Sequence, residues 1–105
     1  MPHGSPRLKT ADKKHNLVGR RVRERRKELK LTQDALCGRL AEVTGGEWNP
    51  TVYDIVRVEG QRRIISNLEL VCLASVLDCS LFDLLGIAAT DRATVTRLLR
   101  QSEPA

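Results

Sequence analysis

A chain of 105 residues with 41% hydrophobic content can bury one small core and leaves no room for a second catalytic or ligand-binding module. Trp48, Tyr53 and Phe82 are its only aromatics, so the core has to be aliphatic; the three cysteines, odd in number and without CxxC spacing, argue for reduced thiols over disulfides or a metal site. The net charge of +5 is concentrated, because eleven Lys or Arg between Arg7 and Lys30 face only Asp12, Glu24 and Glu28; that is the field of a nucleic-acid or anionic-surface binder, or of a merely solvated basic face.

Residues 1–14 carry Pro2, Gly4, Pro6 and scattered basic side chains, with too little apolar surface to bury. They predict a flexible basic arm that follows a DNA backbone, enters a minor groove or has no role. Asn16 is the expected N-cap of a first helix to about Leu29, with Leu17, Val18, Val22 and Leu29 inward. Basic residues at 20, 21, 23, 25, 26, 27 and 30 surround this cylinder, so they cannot all meet one partner. Arg26 shares the side of Val22 and Leu29, and a charge drawn inside requires a paired partner.

The run LTQDALCGRL reads as a second helix. Thr32 caps it, Asp34 suits its positive end, and Leu36, Leu40 and Val43 recur on one face with Cys37 and Ala41 beside it. Gly45 and Gly46 break it. Trp48, in the following loop, is read as the anchor of that loop on the core, the alternative being the rim of a DNA or partner surface. In TVYDIVRVEGQRR, Val52, Ile55, Val56 and Val58 fall mostly at spacings of three and four, while Tyr53, Asp54 and Arg57 face elsewhere. This is a short helix with one side packed and the other offered to a partner. It begins either at a Thr51/Asp54 capping box or with Asn49 as cap and Pro50 in the first position.

Ser66 and Glu69 form a further capping box, flanked by Ile65 and Leu70 as a hydrophobic staple. Leu68 to Leu77 is almost wholly apolar and predicts the central helix of a bundle. Ser80 caps a short fifth helix that Gly86 ends, and Asp91 caps a last segment with Val95, Leu98 and Leu99 on one side. No apolar run is long enough to span a bilayer and the N-terminus lacks a signal-peptide core, so a cytoplasmic location is expected. His3 and His15 lack cysteine or carboxylate neighbours at ligand spacing, so no metal or cofactor is expected. Nor does any paired carboxylate, Ser/His/Asp set or phosphate-binding glycine loop suggest an enzyme.

The segments VRERRKELKLTQDALC, IVRVEGQRR and LELVCLASVLDCSLFDLLG, in that order, resemble the Cro/CI-type (XRE-like) helix-turn-helix family of bacterial and phage transcriptional regulators, over about Leu17 to Gly86. The resemblance implies an all-α, five-helix lambda-repressor-like DNA-binding domain at 15–86, with an extended loop between helices two and three. The segment 87–105 then supplies a dimer or partner helix. It also implies that Arg26 pairs with Glu59 and that Val52, Tyr53 and Arg57 face bases in the major groove, Arg57 as the guanine reader. Gln33, Thr51, Arg62 and Arg63 match backbone-contacting positions, and Lys27 on the basic first helix is read with them. Ile55 and Val58 match buried positions.

Three features depart from the family pattern. The connection from Cys37 to Glu59 is longer by about eight residues, by the same resemblance. Arg25 stands where an apolar residue is usual, which implies a wider basic surface. Gly60 and Gln61 reverse the expected order, which implies a different turn after the reading helix. The function expected is sequence-specific binding of double-stranded DNA by a homodimeric regulator, a repressor, dimerising through Leu81, Phe82, Leu98 and Leu99. The alternative is an antitoxin or adaptor that grips a protein with the C-terminal segment.

Overall fold

The computed structural model describes residues 8–100, and among them every regular element is a helix. In order these are α1 (Gly19–Glu28), α2 (Gln33–Val43), α3 (Val52–Glu59), α4 (Asn67–Val76), α5 (Leu81–Leu85) and α6 (Arg92–Leu99). Five begin where a side chain intercepts a backbone N–H three residues on: Thr32, Thr51, Ser66, Ser80 and Asp91 accept from Ala35, Asp54, Glu69, Asp83 and Thr94. Each hydroxyl or carboxylate satisfies a donor that the first helical turn leaves without an intrahelical partner. At α3 the choice falls on Thr51, with both halves of the capping box formed.

α1 is the exception. It starts at Gly19, three residues after Asn16, because Asn16 does more than cap: Oδ1 accepts from Val18 and Gly19 N–H at 3.0 and 2.9 Å, while Nδ2 donates to the carbonyls of Val58 and Arg63 at 3.2 and 2.8 Å. Asn16 thus holds the start of α1 to the end of α3. Gly19 lies in this seam, where a Cβ would overlap the backbone oxygens of Val58 and Glu59. Only glycine allows so close an approach.

The core is aliphatic. Val18, Val22, Leu36, Leu40, Ile55, Val58, Leu73, Leu77 and Leu84 are fully buried, and Trp48, Ile65 and Leu70 pack against them half-buried. α1 packs on α3 and α5, α2 on α3 and α4, and α4 on α5. Two expectations fail on burial. Val43 is 50% exposed, because no residue of α2 beyond Leu40 is buried. α4 is not central: only Leu73 and Ala74 are buried within it, whereas Leu68 and Val71 are 76% and 54% exposed. Its packing partners are α2 and α5, so an apolar composition all round does not yield burial all round.

α6 buries no residue. It meets the chain's other end, since Ala11 N–H donates to the Leu98 carbonyl at 2.9 Å and residues Leu8, Leu17, Val95 and Leu98 line one shallow apolar groove. Of the arm expected at 1–14, residues 8–14 are therefore laid beside α6; residues 1–7 lie outside the described residues, as do 101–105. The three cysteines are free thiols, Cys37 buried, and burial pushes the Cys37 and Cys79 thiols above their usual range. No described helix is long and apolar enough to cross a membrane.

Candidate nucleic-acid interface

α3 has two faces. Ile55 and Val58 are fully buried, while Val52 and Tyr53 are exposed and Arg57 is half-exposed, its guanidinium carbon 5.7 Å from the Tyr53 ring centroid. The pair is spaced at i, i+4, so cation and ring stack along one side of the helix. At the entrance, Asp54 accepts from Thr51 N–H at 2.9 Å, and that bond holds its carboxyl below the ordinary carboxylate range. Thr51, expected on the DNA backbone, thereby has an internal partner for both its N–H and its hydroxyl, which donates to Asp54 at 3.1 Å. Val56, which shares the apolar spacing, is 37% exposed.

The exit of α3 is tied inward. Arg26 donates from Nε to Glu59 Oε2 at 2.7 Å and from Nη2 to Oε1 at 3.1 Å, and its Nη1 donates to the Leu31 carbonyl at 2.8 Å. Both side chains are nearly inaccessible, at 10% and 5% exposure. A bidentate pair with its remaining donor satisfied can stand burial that a single charge cannot. Gln33 Nε2 also donates to Glu59, at 3.2 Å, so the start of α2 joins the same knot. Glu59 has no vacant role toward a ligand. The side chain of Gln33, expected on a DNA phosphate, has an internal partner, although it still lines the cleft beside the knot.

After α3 the chain takes the left-handed turn at Gln61, with φ of 59°, while Gly60 stays at −81°. The reversed order of the two residues therefore leaves the turn in the position where glycine is usual. Gln61 carries the strain of that conformation because its side chain donates to the Asn16 carbonyl at 2.9 Å and its own carbonyl accepts from His15 N–H at 2.9 Å.

The basic residues divide sharply. Arg21 pairs with Asp83 and Glu28, at 3.2 and 3.4 Å. Arg25 does not widen the basic surface; it donates to the carbonyls of Leu77 and Asp78, at 2.8 and 3.2 Å, where the end of α4 offers unpaired acceptors and negative potential. Arg63, expected on the DNA backbone, has an internal partner as well. Its two terminal nitrogens donate to the two oxygens of Glu69 at 2.9 Å each, holding that carboxyl below its ordinary range, and its guanidinium lies over Trp48.

Arg20, Arg23, Lys27 and Lys30 are left exposed on α1 and just beyond it, with no ion pair among the described residues. The spacing of Arg20, Arg23 and Lys27, three and four, makes one stripe on α1, and Lys30 lies past the helix end in a left-handed conformation. Arg23 and the exposed Arg62 line a polar cleft with Thr32, Gln33, Val56 and Gly60, above the neutral Arg26–Glu59 pair. Arg23 and Val56 do not stand out in the sequence as lining residues of this cleft; the i, i+4 relation of Arg23 to Lys27 is the local signal that those two share a side of α1. No family model, curated protein or solved structure matches the chain.

Proposed function

We propose that this chain is a sequence-specific, double-stranded DNA-binding transcriptional regulator of the Cro/CI-type helix-turn-helix kind, cytoplasmic, and a repressor. Its first five helices correspond to a lambda-repressor-like domain with a lengthened α2–α3 connection. One observation carries the reading: α3 offers Val52, Tyr53 and Arg57 outward, its Val56 shares a cleft with Arg23 and Arg62, which have no ion pair among the described residues, and its two acids are occupied, Asp54 in the N-terminal cap and Glu59 in the buried pair. Apolar, aromatic and bidentate side chains on one short helix suit base edges in a major groove, and exposed cations beside them suit phosphates. Arg57 reads guanine, Val52 meets a thymine methyl, and Tyr53 meets a base edge or phosphate. Lys27, Arg62 and Arg23 serve the backbone.

The regulator acts as a homodimer on half-sites about 34 Å apart. Exposed Leu81 and Phe82 on α5 and Leu99 on α6 support a self-association surface. The burial of no residue in α6 equally favours a second reading, an antitoxin or adaptor whose C-terminal helix completes itself on another protein. Selection of bound sequences from a random duplex pool at stated salt separates the two. A palindromic consensus is expected; absence of enrichment would favour the interaction module. On the selected site Arg57→Ala should cost about 1–3 kcal/mol and relax specificity, whereas Lys27→Ala should weaken all duplexes alike and lower the salt slope by about 1. Equal losses for Arg57→Ala on selected and random DNA would remove it from base reading.

A further inference from the structure

The α2–α3 connection, residues 44–51, is too long for covalent geometry to fix the angle of α3, so other contacts must hold the helix entrance. Trp48 is the anchor of that connection. Its backbone N–H donates to the Thr44 hydroxyl at 3.0 Å, the hydroxyl in turn donates to the Leu40 carbonyl at 2.8 Å, and its half-buried ring packs against the core. Past the exit of α3 the chain turns back and brings Arg63 to the same place. The guanidinium carbon lies 5.9 Å from the Trp48 ring centroid, its fork grips both oxygens of Glu69 in the first turn of α4, and the Arg63 carbonyl is held by Asn16. Its positive charge also acts on Asp54, in the first turn of α3. A planar fork on a carboxylate with its face on an indole fixes orientation as well as distance, which a lysine ammonium cannot do.

We infer that Arg63 is a positioning residue for the recognition helix: by bridging Trp48 and Glu69 it sets the pitch at which α3 meets the bases, in place of a tight turn, and contacts no phosphate itself. The inference rests on the DNA-reading assignment of α3. Arg62, the residue before it, is exposed and without an ion pair among the described residues, and provides the contrast.

Two measurements on the full chain test it: amide hydrogen exchange of the free protein, and binding to a pool-selected duplex and its scrambled counterpart over a salt series. Arg63→Lys and Trp48→Leu, which retain charge and an apolar side chain, should lower the selected-to-scrambled affinity ratio about tenfold with no change in salt slope, and Trp48→Phe should restore it. Arg63→Gln should speed exchange across residues 52–58 while leaving Val22 in α1 unchanged. A salt slope that falls by about 1 in Arg63→Gln, as in Arg62→Ala, would make Arg63 a phosphate contact and overturn the proposal. So would an unchanged affinity ratio in both Arg63→Lys and Trp48→Leu. If the wild-type chain prefers no duplex, the DNA reading itself fails; the bridge is then decided by exchange, and wild-type rates at 52–58 in Arg63→Gln would overturn it as well.

Discussion

α3 and α6 are built from the same local instructions and reach different ends. Each is eight residues long, each begins at a capping side chain, and each carries aliphatics at helical spacing. Yet Ile55 and Val58 of α3 are fully buried, whereas no residue of α6 is. The difference lies in neighbours. α3 lies against α1 and α2, and its exit is knotted to both by Glu59; α6 touches the N-terminal segment through the Ala11–Leu98 hydrogen bond and one shallow groove. A helix this short is marginal in water, so packing and not capping decides whether it is rigid. That suits the proposed division of work, in which α3 must be presented at a fixed angle and α6 can complete itself on a partner.

The knot is where this contrast should break most visibly. Arg26→Ala leaves the Glu59 carboxylate buried without its cation and should cost about 3–5 kcal/mol in a urea melt, while exposed Arg23→Ala stays within about 0.5 kcal/mol. Equal midpoints for the two variants would deny the pair its role in joining α1 to α3. Ile55→Ala should cost about 2–5 kcal/mol through transfer and cavity terms, against less than about 0.5 kcal/mol for Val95→Ala on α6. A large loss for Val95→Ala would mean that α6 belongs to the cooperative core after all.

The caps give a smaller and subtler test, because the same chemistry is used at both helices. Thr51→Ala should lower global stability by about 0.5–2 kcal/mol. Asp91→Ala should leave the unfolding midpoint in place and only raise amide exchange within α6. Acid provides the smallest effect. Asp54 and Glu69 have carboxyls held below their ordinary ranges, the first by the Thr51 backbone bond and the second by Arg63. Their contribution is complete above those ranges and is lost as pH falls through the depressed folded values, so stability should decline below about pH 4. Asp91 is depressed as well, by its bonds to Thr94, but its protonation should change the α6 signal alone. Glu69→Gln, read by thermal melts across pH, should flatten the acid limb if the Arg63–Glu69 pair contributes to it.

Helix starts were legible in the sequence because a cap is a local event. Thr32, Thr51, Ser66, Ser80 and Asp91 each reach a backbone donor three residues away, and no distant residue is needed to form that bond. The inward side of α3 was legible for the same reason, since helical spacing alone separates Ile55 and Val58 from Tyr53 and Arg57. The free and bound cations could not be told apart in this way. Arg21 finds Asp83, Arg25 finds the end of α4 and Arg63 folds back onto Glu69 and Trp48, so three residues that look like basic surface are tertiary ties. Nor could composition tell that apolar α4 leaves Leu68 and Val71 in solvent, or that Gly19 sits where two backbones nearly touch. Spacing along the chain determined where most of the helices begin and that Ile55 and Val58 of α3 pack inward; how far α2 and α4 are buried, and which charges are left for a partner, was decided only when residues up to 62 positions apart were brought within hydrogen-bonding distance.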